Sequence, residues 1–137
     1  MKKLLFAITP EKSLFNETAL TLLRVAAGLL MAGLHGFGKV PPSEKFIGGV
    51  ESLGFPAPVL FAWLAGLAEL AGGLFLAVGF LTRPSALLLA ITMFVAAFGK
   101  HLSDGWDVKE LSLIYLCIAL VFVFRGAGRI SVDRFFK

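Results

Sequence analysis

Apolar residues in this chain run in long blocks broken by short polar punctuation; they do not alternate, and they do not recur once per helical turn. Four blocks stand out, at about 18–40, 57–81, 83–100 and 109–125. Stretches of about 18 or more apolar residues predict helices that cross a bilayer. At about 1.5 Å per residue the first two blocks exceed a hydrocarbon core of roughly 30 Å. The last two barely reach across it, which predicts that they stand closer to the membrane normal. Lipid offers the backbone no hydrogen-bond partners, so four such segments predict an all-α, membrane-embedded four-helix bundle. The whole chain, 1–137, is expected to form that single domain.

The connections are also patterned. Residues 41–56, PPSEKFIGGVESLGFP, are too polar to span, but Phe46, Ile47, Val50 and Leu53 fall at helical spacing. A short helix lying on the outer surface is expected there, between the first two spans. Gly54 and Pro56 then turn the chain inward. Leu81-Thr82-Arg83-Pro84 is a very tight turn, with Pro84 suited to a first helical turn and Thr82 or Ser85 to capping it. Phe37-Gly38-Lys39 closes the first block and Phe98-Gly99-Lys100 the third. Each hairpin thus brings a lysine to the same face, an echo compatible with the hairpin repeats of transporters.

Composition strengthens the membrane reading. At 58% hydrophobic and 16% charged, with a mean hydropathy of +0.87, a 137-residue chain has more apolar surface than a soluble domain could hide. Charge then sets the orientation. Lys2, Lys3, Lys12, Arg83, Arg125, Arg129, Arg134 and Lys137 fall on one side, and Lys39, Lys45, Lys100 and Lys109 on the other. The richer side is expected to be cytoplasmic, which places both termini there. Trp63, Trp106 and Tyr115 fall near the opposite face. The net charge of +4 follows from this asymmetry and needs no nucleic-acid partner. Only five apolar residues, Leu4 to Ile8, precede Thr9-Pro10, too few for the core of a cleaved leader. The single cysteine, Cys117, excludes an internal disulfide or CxxC pair and is expected to be a small buried apolar residue.

Polar residues inside the blocks carry the candidate chemistry. On the first, Arg24, Gly28, His35 and Lys39 fall along one stripe of an ideal helix. On the second, Ala62, Ala65, Gly66, Glu69, Gly72 and Gly73 form a small-residue face around one carboxylate, which lets another helix approach closely. Gly28, Gly36, Gly66 and Gly73 are the expected packing glycines. Counted along the helices, Glu69 lies between Arg24 and His35 in depth. An intramembrane carboxylate needs a partner, water or a ligand. One expectation is a polar pocket of His35 and Glu69 with Arg24 below and Lys39 at its mouth. Lys100 and His101, near Asp104, would line a vestibule. The plainer expectation is a structural Arg24–Glu69 pair, with His35 bonded to backbone; Arg24 could instead snorkel to the surface, which Glu69 cannot. Two histidines at different depths, without a carboxylate cluster or second cysteine, support neither metal nor haem. No phosphate-cradling loop or nucleophile elbow is present.

The strings RVAAGLLMAGLHGFGKV, AELAGGLFLAVGFLTRPSA and GAGRISVDRFF, in that order, resemble the DoxX family of small four-helix membrane proteins. The resemblance covers residues 18–136. The family's arginine, glycine and histidine-glycine-x-x-lysine on the first helix match Arg24, Gly28, His35-Gly36 and Lys39. Glu69 and Gly73 match on the second helix, with Gly79 and Thr82-Arg83 at the turn. The resemblance implies a bacterial-type plasma (inner) membrane. It also implies a link to a membrane subunit of a thiosulfate:quinone oxidoreductase. The leading expectation is therefore a non-autonomous redox subunit that binds a quinone or quinol headgroup and takes electrons from a protein partner. A scaffold docking soluble sulfur-transfer or oxidative-stress enzymes is the alternative, then a small transporter. A protein partner or a homo-oligomer is expected in each case.

Overall fold

The structure, a computed structural model, describes residues 13–136. Those residues form five α-helices, with no strand among them. Helix α1, Leu14–Leu30, starts where the Ser13 side chain accepts a hydrogen bond from Asn16 N at 3.2 Å. It continues without a break through a π turn, Met31–Gly36, and a 3-10 turn, Phe37–Lys39. The surface helix α2, Glu44–Glu51, is capped by Ser43, which accepts from Phe46 N at 3.3 Å; only Val50 of it is buried. Then come α3, Pro58–Val78, and α4, Thr82–Val95, the latter prolonged by a π turn, Ala96–Lys100. Helix α5, Trp106–Arg125, leads to a last 3-10 turn, Val132–Phe136.

The spans Leu14–Lys39, Pro58–Val78 and Thr82–Lys100 are long and apolar enough to cross a membrane. At 20 residues α5 is long enough too, but it has Asp107, Lys109 and Glu110 in its first turns and Arg125 at its end. The first span begins at Leu14, a turn ahead of the apolar block, because Ser13 can cap it there. The four long helices follow one another around the bundle: α1 lies against α3, α3 against α4 and α4 against α5, whereas α5 meets α1 only sparsely. Met31, Leu76, Leu89, Met93 and Phe122 fill the centre. Leu22, Leu34, Leu60, Leu88 and Ile91 stand outward, each more than half exposed, as side chains solvated by lipid should.

Glycine decides how close α1 and α3 come. A Cβ at Gly28 would lie 2.5 Å from the Gly73 carbonyl oxygen, and one at Gly73 would lie 2.9 Å from the Gly28 oxygen. At Gly36 it would strike Leu70 N and lie 2.5 Å from Leu70 Cα; at Gly66, 2.8 Å from Lys39 O. No side chain fits at any of these crossings. The bend of α1 makes this seam continuous. A π turn takes up about one extra residue, so everything after it lags by roughly 100° around the axis. On an ideal helix Gly36 would drift away from the face that holds Gly28. The lag returns it to α3 and turns His35 aside.

The bundle has two distinct ends. The proximal end holds Ser13, the α3–α4 turn and the C-terminal segment; the distal end holds Lys39, α2 and the α4–α5 loop. Of the basic residues that orient the chain, Lys2, Lys3, Lys12 and Lys137 lie outside the described residues. Arg83, Arg125, Arg129 and Arg134 are proximal and Lys39, Lys45, Lys100 and Lys109 distal, so the described residues balance; from the count over the whole sequence we propose that the proximal end is cytoplasmic. A cytoplasmic reporter fused after Lys137 should be active and a periplasmic one silent; the reverse pattern would invert the topology.

Candidate functional site

The buried carboxylate has a partner, and it is not Arg24. Lys39 Nζ lies 2.7 Å from Glu69 Oε1 and 2.6 Å from Oε2, bridging both oxygens. The Glu69 side chain is 3% exposed and that of Lys39 33%. This follows from the seam just described: the Lys39 backbone lies directly on Gly66, so its side chain points down α3 toward Glu69, less than one turn on. Lys39 therefore serves as a counter-ion within the bundle as well as marking its mouth. Its ammonium also sits 5.3 Å from the Phe46 ring, which ties surface helix α2 to the pair.

His35 is turned away from Glu69 by the π turn. Its ring meets Tyr115 of α5 edge to face, with centroids 5.9 Å apart. Both residues are half-buried, and among the described residues neither the imidazole nor the Tyr115 hydroxyl makes a hydrogen bond. They face each other across the α1–α5 seam, where the ring of helices is loosest. The distal loop holds the peripheral candidates. His101 Nδ1 and Asp104 Oδ2 are 2.6 Å apart, and exposed Lys100 reaches across to Gly49 of α2.

Arg24 belongs to a second cluster, at the proximal end. It is 1% exposed and does not snorkel. Its Nη2 donates to the Ile130 carbonyl at 2.7 Å, and its Nη1 presses on Gly79, where any Cβ would collide with it. Gly79 is also the left-handed residue (φ 73°) that ends α3, so two constraints converge on it. The C-terminal segment folds back over this cluster. Glu17 Oε1 accepts from Arg125 Nη2 at 2.6 Å, and Oε2 from Arg129 N at 2.8 Å. Asp133 N donates to Gly79 O at 2.8 Å, while the Asp133 carboxylate accepts from Leu81 N at 2.8 Å and Thr82 N at 3.0 Å. The cap of α4 is thus Asp133 from the far end of the sequence rather than Thr82 or Ser85. Burial pushes the Asp133 carboxyl up, but the hydrogen bonds from Thr82 and Leu81 and the Arg24 charge outweigh it and hold it below its ordinary value.

The structure therefore divides the four candidate residues. Glu69 and Lys39 are bonded, His35 stands in the adjoining seam, and Arg24 lies at the other end of the bundle. Tyr115, Glu17 and Asp133 were not singled out as site residues from the sequence. Tyr115 had a legible signal, a polar-tipped aromatic within a span. Glu17 and Asp133 gain their roles only from the return of the tail. Cys117 is exposed on α5 rather than buried, since α5 turns only Ala119 and Phe122 fully inward.

Comparison with known proteins fixes the family. The DoxX family model matches residues 19–102, which include Arg24, the His35-Gly36 pair, Lys39, Glu69 and the Thr82 turn. The chain belongs to the DoxX family. Two relatives match it along most of their length. An uncharacterised protein of Haemophilus influenzae is 33% identical over 127 residues, 86% of this chain and 91% of the relative. Inner membrane protein YphA of Escherichia coli is 29% identical over 128 residues, 84% of this chain and 88% of YphA. A second uncharacterised Haemophilus influenzae protein is 40% identical over 63 residues, 43% of this chain and 42% of its own. No solved structure matches. With its membrane-spanning helices, this DoxX protein is an integral inner-membrane protein.

Proposed function

We propose that this DoxX protein is a membrane subunit of a quinone-linked redox system and holds a quinone or quinol headgroup beside His35 and Tyr115. The observation that carries the reading is the pairing of those two residues across the loosest helix seam, with their polar atoms uncommitted. A planar headgroup with two carbonyl oxygens needs hydrogen-bond donors, and an imidazole N–H and a phenol O–H fit that need. A seam open to lipid suits entry of a molecule with an apolar tail. When bound, a quinone would supply two-electron, two-proton redox chemistry, with the electrons coming from a protein partner. The chain's own part is to orient the headgroup and move protons. Imidazole suits the second task because one ring nitrogen can accept a proton while the other donates one. Bonded to Lys39, Glu69 fixes the geometry of α1 against α3 beside the seam.

A quinone analogue should bind saturably to the purified protein in detergent, read by fluorescence quenching of the two tryptophans. His35→Ala and Tyr115→Phe should each weaken binding, by roughly fivefold for one neutral hydrogen bond. Absence of saturable binding to the parent protein sinks the reading. The scaffold alternative has its own support in the proximal end, where Phe135 and Phe136 stand exposed beside Arg134. Under that reading a soluble enzyme would be recovered with the parent protein and lost when residues 132–137 are removed.

A further inference from the structure

The Leu81–Thr82 turn holds a carboxylate in the manner of an anion site. Leu81 is left-handed (φ 45°) and Thr82 begins α4, so two consecutive backbone N–H groups point to one spot. Helix α4, 14 residues long, adds the positive end of its dipole. Asp133 occupies that spot through both carboxylate oxygens. A helix N-terminus alone would be commonplace. Arg24 sets this one apart. Although 1% exposed, it uses only Nη2, and among the described residues its Nε and Nη1 have no acceptor. Its guanidinium packs on Gly79, whose carbonyl accepts from Asp133 N, and its charge acts on the Asp133 carboxylate. A buried guanidinium with unpaired nitrogens lacks acceptors that a larger anion would bring.

We propose that this is a binding site for a phosphate group, closed in this structure by the chain's own Asp133. Phosphate and the segment Gly126–Phe136 compete for the Leu81 and Thr82 N–H groups and for Arg24. A carboxylate has two oxygens, and both are spent on the backbone. A phosphate has further oxygens for the guanidinium nitrogens that Asp133 leaves unpaired. Few contacts hold the segment down. Arg129 N bonds to Glu17, Ile130 O to Arg24 and Asp133 N to Gly79 O, and the Phe136 ring lies 6.0 Å from that of Phe80. The site lies where the helices end, a level shared by lipid headgroups and by dissolved anions. Both are sources of the same chemistry.

Full-length protein and its Asp133→Ala variant, in neutral detergent, would be titrated with inorganic phosphate against chloride at matched ionic strength. Phosphate should raise the melting temperature of the variant saturably, by several degrees, and move the parent far less, because Asp133 competes. Asp133→Asn keeps the shape and one acceptor; it should show the same response, reduced, and serves if Asp133→Ala does not fold. In the parent, saturating phosphate should release the segment and speed tryptic cleavage after Arg129 and Arg134. Equal phosphate shifts in parent and variants, or cleavage that phosphate leaves unchanged, overturn the proposal. Discs of a phosphate-free glycolipid, digalactosyldiacylglycerol, with and without phosphatidic acid and in phosphate-free buffer, separate the sources. Stabilisation of the variant by phosphatidic acid assigns a lipid headgroup, and stabilisation by free phosphate alone assigns a soluble anion. No response in either arm overturns the site.

Discussion

A single methyl group at Gly36 should cripple assembly of the bundle, whereas the same methyl at Gly33 should pass almost unnoticed. At Gly36 the new carbon meets Leu70 N, Leu70 Cα and the Glu69 carbonyl carbon, all backbone atoms of α3. Backbone in a spanning helix cannot step aside as the tip of a side chain can, so α1 and α3 must separate. Overpacking costs about 1–3 kcal/mol where side chains can adjust, and this contact should reach or pass the upper figure. Separation would also loosen Lys39 from Glu69, since Gly66 sets that approach. At Gly33 none of the described residues offers an atom within 4 Å of the new carbon, and alanine favours the helix over glycine by up to about 1 kcal/mol. Melting temperature and monodisperse yield in detergent compare Gly36→Ala with Gly33→Ala. Similar values for the two would refute the close α1–α3 crossing.

The second large effect is an asymmetry within the ion pair. Lys39→Met should destabilise the protein far more than Glu69→Gln. Without Lys39, Glu69 stays inside the bundle at 2% exposure with no counter-ion. Breaking a buried pair from one side costs about 3–5 kcal/mol. Without the Glu69 charge, Lys39 is already one-third exposed and can turn to water, so Glu69→Gln should be mild. The double variant Lys39→Met/Glu69→Gln should recover most of the stability lost by Lys39→Met alone. Thermal melts of the three proteins test this. Equal losses for the two single variants would mean that the pair is not buried as a unit. Because neither substitution touches His35 or Tyr115, quinone-analogue binding measured on folded Glu69→Gln protein also separates this structural role from the proposed headgroup site.

Much of the fold was legible in the sequence because the bilayer admits few solutions. Length and apolarity marked the spans, and helical spacing in residues 41–56 marked α2. The small-residue face around Glu69 named the side of α3 that α1 approaches. Three facts about the site were not legible there. Lys39 stays on the α3 side and meets Glu69 because the 3-10 turn offsets the lag of the π turn, and a count at 100° per residue registers neither. His35, ahead of the 3-10 turn, leaves the Glu69 face for Tyr115 under the lag of the π turn. Arg24 finds its acceptor in Ile130 O and acts on the Asp133 carboxylate, both more than a hundred positions away, because the tail folds back beneath the bundle.

Sequence by itself determined that the chain lies in a membrane, that it crosses as helices and that ionisable groups are carried inward. Those outcomes follow from local quantities: hydropathy summed over a block, and the cost of a charge in hydrocarbon. Only the tertiary structure decided which charge meets which. Pairing depends on rotation about each helix axis and on the path of the tail. A shift of one residue in a single turn moves a side chain roughly 100° around its helix, enough to exchange one neighbour for another.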